Sequence, residues 1–296
     1  MRRRACILGA PGSWHAGQLA AALVRRGLTT EIVRWQSLAV GITTEASLIE
    51  PAALAAADVV AVRGMPGTGP PEARLEEVIF RMDVLGRLAA GGVPVVNPPR
   101  SLEIAIDKYL TLAQLAAAGI PVPRTLVVQD AEAARRGWQQ LGGDCVAKPL
   151  FGSRGRGLVR LVGREPSADA WPGEGGVTYL QEFVPHAGWD ARVFVVGERL
   201  FAMRRQAATG EWRTNLALGG RAERLDLPAG WGELARRAAD AVAASVAGVD
   251  LLPAVDGRIL VLEVNAVPGW RGLESVVGPE IGEAVADHIA GLARTS

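Results

Sequence analysis

The sequence predicts an α/β domain built on a parallel sheet, followed by a larger α+β region. Three observations carry this. Residues 1–97 alternate short apolar strands with helical segments, a βαβ rhythm that ends at Pro98-Pro99. From Val177 onward, strand-like runs are joined by tight turn signals at Gly197-Glu198 and Asp256-Gly257, the mark of antiparallel hairpins. The length, 296 residues with 49% hydrophobic content, fits two or three domains with ample core.

The elements follow in order. Residues 5–9 read as a strand, 17–26 as a helix with Leu19, Leu23 and Val24 on one face, and 30–35 and 58–63 as further strands. Pro51 opens an Ala-rich helix between those two strands, residues 72–90 are helical, and 93–97 form a short strand. Pro98-Pro99 closes the block because neither proline can donate to a ladder. Next come a helix at 107–118, a break at GIPVP, a strand at 125–128, a helix at 131–141 and a strand at 144–148. A glycine-rich loop precedes a strand at 158–162, and strands at 178–184, 191–196 and 199–205 follow. A helix at 231–247, strands at 249–255 and 258–264, and an amphipathic helix at 282–294 complete the chain.

Charge excludes some partners. The formal net charge is +1, so no global field favours nucleic acid or an anionic membrane. The basic start MRRRACILGAPGSWHAG has too short an apolar run for a signal peptide, and no window holds the roughly 18 apolar residues of a membrane span. Cys6 and Cys145 both fall in predicted strands, which suits free thiols in a reducing cytoplasm. Only two of the 32 basic residues are lysines, Lys108 and Lys148. Their survival against an arginine bias suggests sites where a compact ammonium works and a planar guanidinium does not.

Four stretches carry chemistry. GAPGSWHAG, 9–17, is a strand-to-helix turn that fits neither the dinucleotide fingerprint nor the P-loop, but it sets Trp14 and His15 at the carboxyl edge of a parallel sheet. AKPLFGSRGRGLVRL places Lys148 at a strand end before Gly152, Ser153, Gly155 and Gly157, a loop able to lie close over phosphates. Beyond the 178–184 strand, Asp190 and Arg192 share one strand face, and Arg213 and Asn215 alternate in the same way. In VLEVNAVPGWRGLE, Glu263 and Asn265 also share a face, and counting back from the Asp256-Gly257 turn puts Asp250 opposite Glu263. Two carboxylates and an amide oxygen form an incomplete hard-oxygen shell that suits Mg²⁺ completed by water and phosphate.

These stretches resemble a known family. AIDKYLTLAQLAAAGIPVPRT, AKPLFGSRGRG, QEFV, GWDARVFVVG, MRRQAATGEWRTNLALGG, GVDLL and LEVNAVPG stand in the order of the ATP-grasp superfamily, and within it the RimK-like glutamate ligases. The resemblance spans residues 97–275. It implies a Rossmann-like domain over 1–97, a lid subdomain over 98–185 and a C-terminal subdomain with the metal site over 186–296. It also implies that Lys108 and Lys148 contact ATP, that Glu182 and Phe183 bind the adenine, and that Asp190, Arg213, Thr214 and Asn215 lie at the nucleotide. Asp250, Glu263 and Asn265 would hold Mg²⁺, with Mn²⁺ as an alternative.

The implied reaction activates a carboxylate as an acylphosphate, which an amine then attacks to form an amide. Arg213 and Arg192 are the candidate clamps on the acylphosphate oxygen. Glutamate is the expected amine, and the expected acid is a coenzyme tail, a protein C-terminus or another small acid. A homo-oligomer is compatible with the resemblance. NAVPGW is similar to members linked with tetrahydromethanopterin-type coenzymes, and Trp270-Arg271 stands where most relatives carry a smaller apolar residue. Trp14, His15, Arg63 and Trp270 are therefore expected to line a pocket for a pterin or polyacid. The competing readings are a ligase using another amine, a non-catalytic ATP-binding module and a nicotinamide dehydrogenase. The missing dinucleotide fingerprint weighs against the last.

Overall fold

The structure, a computed structural model, describes residues 2–44, 47–67, 73–151, 157–163 and 176–294. The chain opens with β1 (Arg4–Leu8), α1 (Trp14–Arg25) and β2 (Thr29–Val33). A hairpin of β3 (Ala39–Ile42) and β4 (Ser47–Glu50) precedes α2 (Ala52–Ala55), β5 (Val59–Val62), α3 (Leu75–Ala90) and β6 (Val95–Val96). The parallel sheet runs β2-β1-β5-β6, so its order reverses between β1 and β5. Alternation along the strands splits the core. Cys6, Leu8, Val60 and Val62 join Val84, Leu85 and Leu88 of α3, while Ala5, Ile7, Val59 and Ala61 join Leu19 and Leu23 of α1. The second face is also covered by the final helix, whose Ile281, Val285 and Ile289 pack into the same cluster.

After β6 come α4 (Pro99–Ile106), α5 (Lys108–Ala117), β7 (Thr125–Val128), α6 (Ala131–Gln140), β8 (Asp144–Lys148), β9 (Val159–Val162) and β10 (Thr178–Glu182). These strands form an antiparallel sheet in the order β7-β10-β8-β9. A third sheet, β13-β12-β11-β14-β15, is antiparallel throughout. It comprises β11 (Trp189–Val196), β12 (Arg199–Gln206), β13 (Arg221–Arg224), β14 (Val246–Pro253) and β15 (Ile259–Asn265), with α7 (Trp231–Ala241) between β13 and β14. Helices α8 (Arg271–Val277) and α9 (Glu280–Leu292) end it. No helix of the described residues is long and apolar enough to cross a membrane.

The structure departs from the sequence expectations at several elements. The helix expected over 231–247 stops at Ala241, because Ala243 turns left-handed at φ 53° and Ala244 N–H donates back to Ala239. Helix α1 starts at Trp14, where the Ser13 hydroxyl caps it, so His15 lies on its first turn. The helix after Pro51 is a single turn, and α4, α8, β13 and the β3–β4 hairpin carried too little periodicity to be foreseen. Leu112 and Leu115 of α5 join Val193, Val249 and Val261 in one core. Residues 99–117 thus pack on the third sheet, although the sequence grouped them with the middle one.

Candidate active site

An open cleft of about 960 Å³, counting solvent at its mouth, lies between the two antiparallel sheets. Both lysines of the chain reach it. Lys108 opens α5 just after Asp107, whose carboxylate caps the helix by accepting from Tyr109 N (2.8 Å) and Leu110 N (3.0 Å). The Lys108 ammonium donates to the Leu150 carbonyl at 3.2 Å. Lys148 ends β8, and its Nζ donates to Gln181 Oε1 at 2.6 Å from the neighbouring strand. Burial pulls the Lys148 pKa down to about 8, with Lys108 adding repulsion and Glu263 and Asp250 opposing it. Burial lowers Lys108 as well. Two desolvated ammonium groups side by side make a site ready for a polyanion.

The other end of the cleft is apolar and aromatic. Phe183 lies 5.8 Å from Trp212 and 5.9 Å from His186, ring centre to ring centre, and Arg160 stacks 3.4 Å over its face. Val146, Leu158, Leu252 and Leu262 add flat aliphatic wall. A planar heterocycle fits such a slot. Glu182 lines it too, but its carboxylate accepts from Arg124 N (3.1 Å) and Arg124 Nε (2.8 Å) and pairs with Arg258. Gly157 is described, with φ +72°, whereas Gly152, Ser153 and Gly155 lie outside the described residues.

The acidic end is built by β14 and β15. Asp250 stands opposite Glu263 in the ladder, and the register shifts between Asp250 and Leu251. Asp250 is buried and receives both Arg192, which grips it with Nε and Nη2, and Arg205, at 2.8 Å. Burial alone would raise its pKa, but these two guanidinium groups hold it below the usual carboxylate range. Glu263 is the opposite case. Burial first, and the Asp250 charge second, push its carboxyl up. Among the described residues, no hydrogen bond or ion pair reaches the Glu263 carboxylate.

Several predicted site residues are engaged by other groups of the protein. Asp190 receives Arg205 through Nε (2.7 Å) and Nη2 (2.5 Å) and accepts from the Thr214 hydroxyl (2.7 Å). It therefore holds Arg205 and the 213–215 segment in place, with its oxygens turned to them. Arg205, which sequence reasoning missed, sits between Asp190 and Asp250 and lines the cleft. Arg213 also lines the cleft and pairs with Glu211 at 2.5 Å. Arg192 is engaged by Asp250, its partner on the neighbouring strand. Asn265, opposite Gly248, accepts from Val267 N at 2.9 Å and so shapes the turn after β15.

Mg²⁺ chemistry can be tested against these donors. Among the described residues, no cluster of three or more His, Cys, Asp or Glu side chains could hold a metal alone. Glu263, to which no group of the described residues donates, stands beside a second carboxylate, Asp250. Asp250 Oδ1 accepts one arginine N–H and Oδ2 accepts two, which leaves one of about four lone-pair positions open. One or two protein carboxylates completed by substrate phosphates is the arrangement Mg²⁺ takes, so the donors fit.

Trp14, His15, Arg63 and Trp270 do come together, but as a packed junction. Trp270 is fully buried against Phe194, so it cannot face a ligand as expected. His15 lies 4.9 Å from Trp14 and 4.8 Å from Trp270, and its Nε2 accepts from Trp270 N (3.0 Å) and Arg271 N (3.3 Å). Burial, with Arg63 and Arg271 nearby, lowers the His15 pKa to about 4, so it accepts as a neutral ring.

A parallel sheet, a cleft with paired lysines between the four- and five-stranded antiparallel sheets, and a carboxylate pair in that cleft define an ATP-grasp enzyme. The RimK-like ATP-grasp domain matches residues 105–289. The tetrahydromethanopterin:alpha-L-glutamate ligase of Methanosarcina acetivorans is 32% identical over a 328-residue alignment, covering 98% of this chain and 99% of the relative. A probable alpha-L-glutamate ligase of Mannheimia succiniciproducens is 36% identical over 204 residues, 67% of this chain and 68% of that one. The ATP-grasp ligase PsnB, solved with its minimal precursor, superposes with a TM-score of 0.75 at 25% identity, covering 99% of this chain and 100% of PsnB. A RimK domain ATP-grasp protein from Sphaerobacter thermophilus shares the fold with a TM-score of 0.71 at 24% identity, over 99% of this chain and 100% of that chain. The chain belongs to the RimK-like ATP-grasp family and is an ATP-dependent carboxylate–amine ligase.

Proposed function

We propose that the enzyme adds L-glutamate, through its amine, to the carboxylate of a small-molecule coenzyme or a peptide terminus. The observation that carries the nucleotide assignment is the cleft itself, which collects both lysines of the chain and the Glu263 carboxylate. The adenine slots among Phe183, Trp212 and His186, and Lys108 and Lys148 take the phosphates. Asp250, Glu263 and Asn265 would hold Mg²⁺, which when bound neutralises charge on the transferring phosphoryl group. The substrate carboxylate oxygen attacks the γ-phosphorus and ADP leaves. The glutamate nitrogen then attacks the acyl carbonyl, phosphate leaves, and the nitrogen gives up its proton. Arg213, on its Glu211 tether, reaches toward the acylphosphate, while Arg192 fixes Asp250.

The names of the relatives choose the first acceptor to try. Tetrahydromethanopterin is one arm, glutamate-ending peptides a second and simple dicarboxylic acids a third. Each is incubated with Mg-ATP and ¹⁵N-glutamate, and products are read by mass spectrometry. A product heavier by one labelled glutamyl residue, formed with one ADP, is expected in one arm. Labelled product in no arm, with ADP formed alongside another amine, would leave the ligase class and remove glutamate from it.

A further inference from the structure

Arg63 is a cation that nothing in the described protein neutralises. It follows β5 directly, at the carboxyl end of the parallel sheet and beside the β1–β5 reversal, where α/β sheets open a ligand crevice. The two loops at that reversal touch, since a Cβ on Gly9 would stand 3.5 Å from Arg63 Cβ. The guanidinium lies 4.5 Å over the Trp270 ring, Nη2 donates to the Pro268 carbonyl at 2.8 Å, and Nε is buried without a partner. Desolvation lowers its pKa to about 10, so it is still charged at neutral pH. Arg63 is half-buried, and the two fully buried arginines of the described residues are compensated: Arg81 by Glu77, and Arg205 by Asp190 and Asp250. A half-buried cation with an enclosed Nε and no anion beside it is costly, and a carbonyl and a ring face offset that only in part.

Its position ties it to the reaction centre. Pro268, which it grips, lies against Gly248, where a Cβ would stand 3.0 Å from Pro268 Cβ and 3.0 Å from Arg192 Nη1. Gly248 in turn pairs with Asn265 at the end of the strand that carries Glu263. Arg271 is exposed on the far side of the same turn, 5.7 Å from the Trp14 ring, and it shares with Arg63 the field that acts on His15.

We propose that Arg63, with Arg271 beside it, forms a subsite for a non-reacting carboxylate of one of the two substrates. This rests on the reading of the enzyme as a carboxylate–amine ligase, and it makes Arg63 a specificity residue outside the lining of the nucleotide cleft. Both glutamate and an acidic acceptor bring such a carboxylate, and the planar guanidinium fork suits it.

The test is isothermal titration of the full chain with Mg-AMPPNP bound, using L-glutamate in one arm and glutarate and tetrahydromethanopterin in the other. For Arg63→Gln, the affinity of one arm should fall by about tenfold or more, with a smaller fall in Arg271→Gln and a partial return in Arg63→Lys. The arm that weakens names the substrate that docks there. Mg-AMPPNP affinity should stay within about twofold of wild type in all three variants. Wild-type affinity for every carboxylate probe retained in Arg63→Gln, or no carboxylate binding by the wild type, would overturn the subsite. If Arg63→Gln does not fold, Arg63→Lys and the exposed Arg271→Gln decide the matter by the same comparison. Carboxylate binding lost at Arg63 in a chain that neither binds AMPPNP nor forms ADP would support the subsite and sink the ligase reading alone.

Discussion

Asp250 faces Glu263 across the β14–β15 ladder because Leu262 is an extra residue on β15. Leu251 pairs with Val261, and the next pair is Asp250 with Glu263. Without this bulge Asp250 would face Leu262, and Glu263 would stand one step further along. Leu262 and Glu263 are consecutive yet both line the cleft, one against the aromatic slot and one beside the lysines. Bulges next to active sites re-aim side chains in this way.

Glu263→Gln should abolish Mg-dependent turnover while relieving the metal-free fold. Burial and Asp250 raise the Glu263 pKa, so its ionisation costs stability as pH rises from the ordinary carboxylate range through its raised value. The metal-free variant should therefore melt higher than wild type at pH 8, with less difference at pH 5. ADP formation with saturating Mg²⁺ should fall at least about 100-fold. Calorimetry on metal-free protein and a coupled ADP assay check the two halves.

ATP binding should take up a proton at alkaline pH. Burial holds Lys148 down at about 8, so above that pH the free enzyme carries a mostly neutral amine there. Phosphate oxygens favour the charged form and raise its pKa on binding. Titrating AMPPNP at pH 9 in buffers of different ionisation enthalpy should show uptake approaching one proton. Lys148→Met should show none and should bind at least about tenfold more weakly.

Arg205→Met should be among the most damaging single changes in the cleft. It strips a charge partner from Asp190 and Asp250 at once; Asp250 keeps Arg192, but buried Asp190 is left without a cation. A loss of about 3–5 kcal/mol by urea denaturation is expected. Adding Asp190→Asn should restore part of it, because the second change removes the stranded charge.

His15 supplies an acid limit. Its pKa falls from the ordinary 6.5 to about 4, so the folded state prefers the neutral ring that accepts from Trp270 and Arg271. The stability it contributes is present above pH 6.5 and is lost as pH drops toward 4. In that window its share of the slope approaches about 1.4 kcal/mol per pH unit. Urea titrations of wild type and His15→Phe across the window should differ by that component.

Gly220→Ala should disturb the nucleotide segment without touching a charged group. A Cβ there would meet the carbonyls of Thr214 at 2.9 Å, Gln206 at 3.0 Å and Asn215 at 3.1 Å. Because these are backbone atoms, the 213–215 stretch must shift. A cost of about 1–3 kcal/mol and a raised KM for ATP should appear together in melting and steady-state assays.

How far the site was legible depends on counting. Counting from the Asp256-Gly257 turn named Asp250 and Glu263 as partners, but the ladder beside the turn runs one residue off that count, and only the bulge at Leu262, which no count reveals, brings the two together; the scarcity of lysine pointed to Lys108 and Lys148. The same count across Gly197-Glu198 pairs Asp190 with Arg205, so the signal for the missed arginine was present. It was drowned because arginine is common throughout this chain, and one more on a strand carries no mark of its own. Trp270 misled for a different reason. Its place after the Pro268-Gly269 turn looked like a pocket mouth, and only packing between distant segments shows it buried beneath α1 and α9. The packing of α4 and α5 on the third sheet was hidden in the same way, since sequence adjacency grouped them with β7 and β8.

The most direct test of the chemistry follows oxygen. An acceptor labelled with ¹⁸O in its reacting carboxylate is turned over with Mg-ATP and L-glutamate, and the released phosphate is analysed by mass spectrometry. One ¹⁸O per phosphate, with one ADP and one amide, is the outcome required by attack of the carboxylate on the γ-phosphorus. Unlabelled phosphate, or AMP and pyrophosphate in place of ADP, would contradict an acylphosphate route in this cleft.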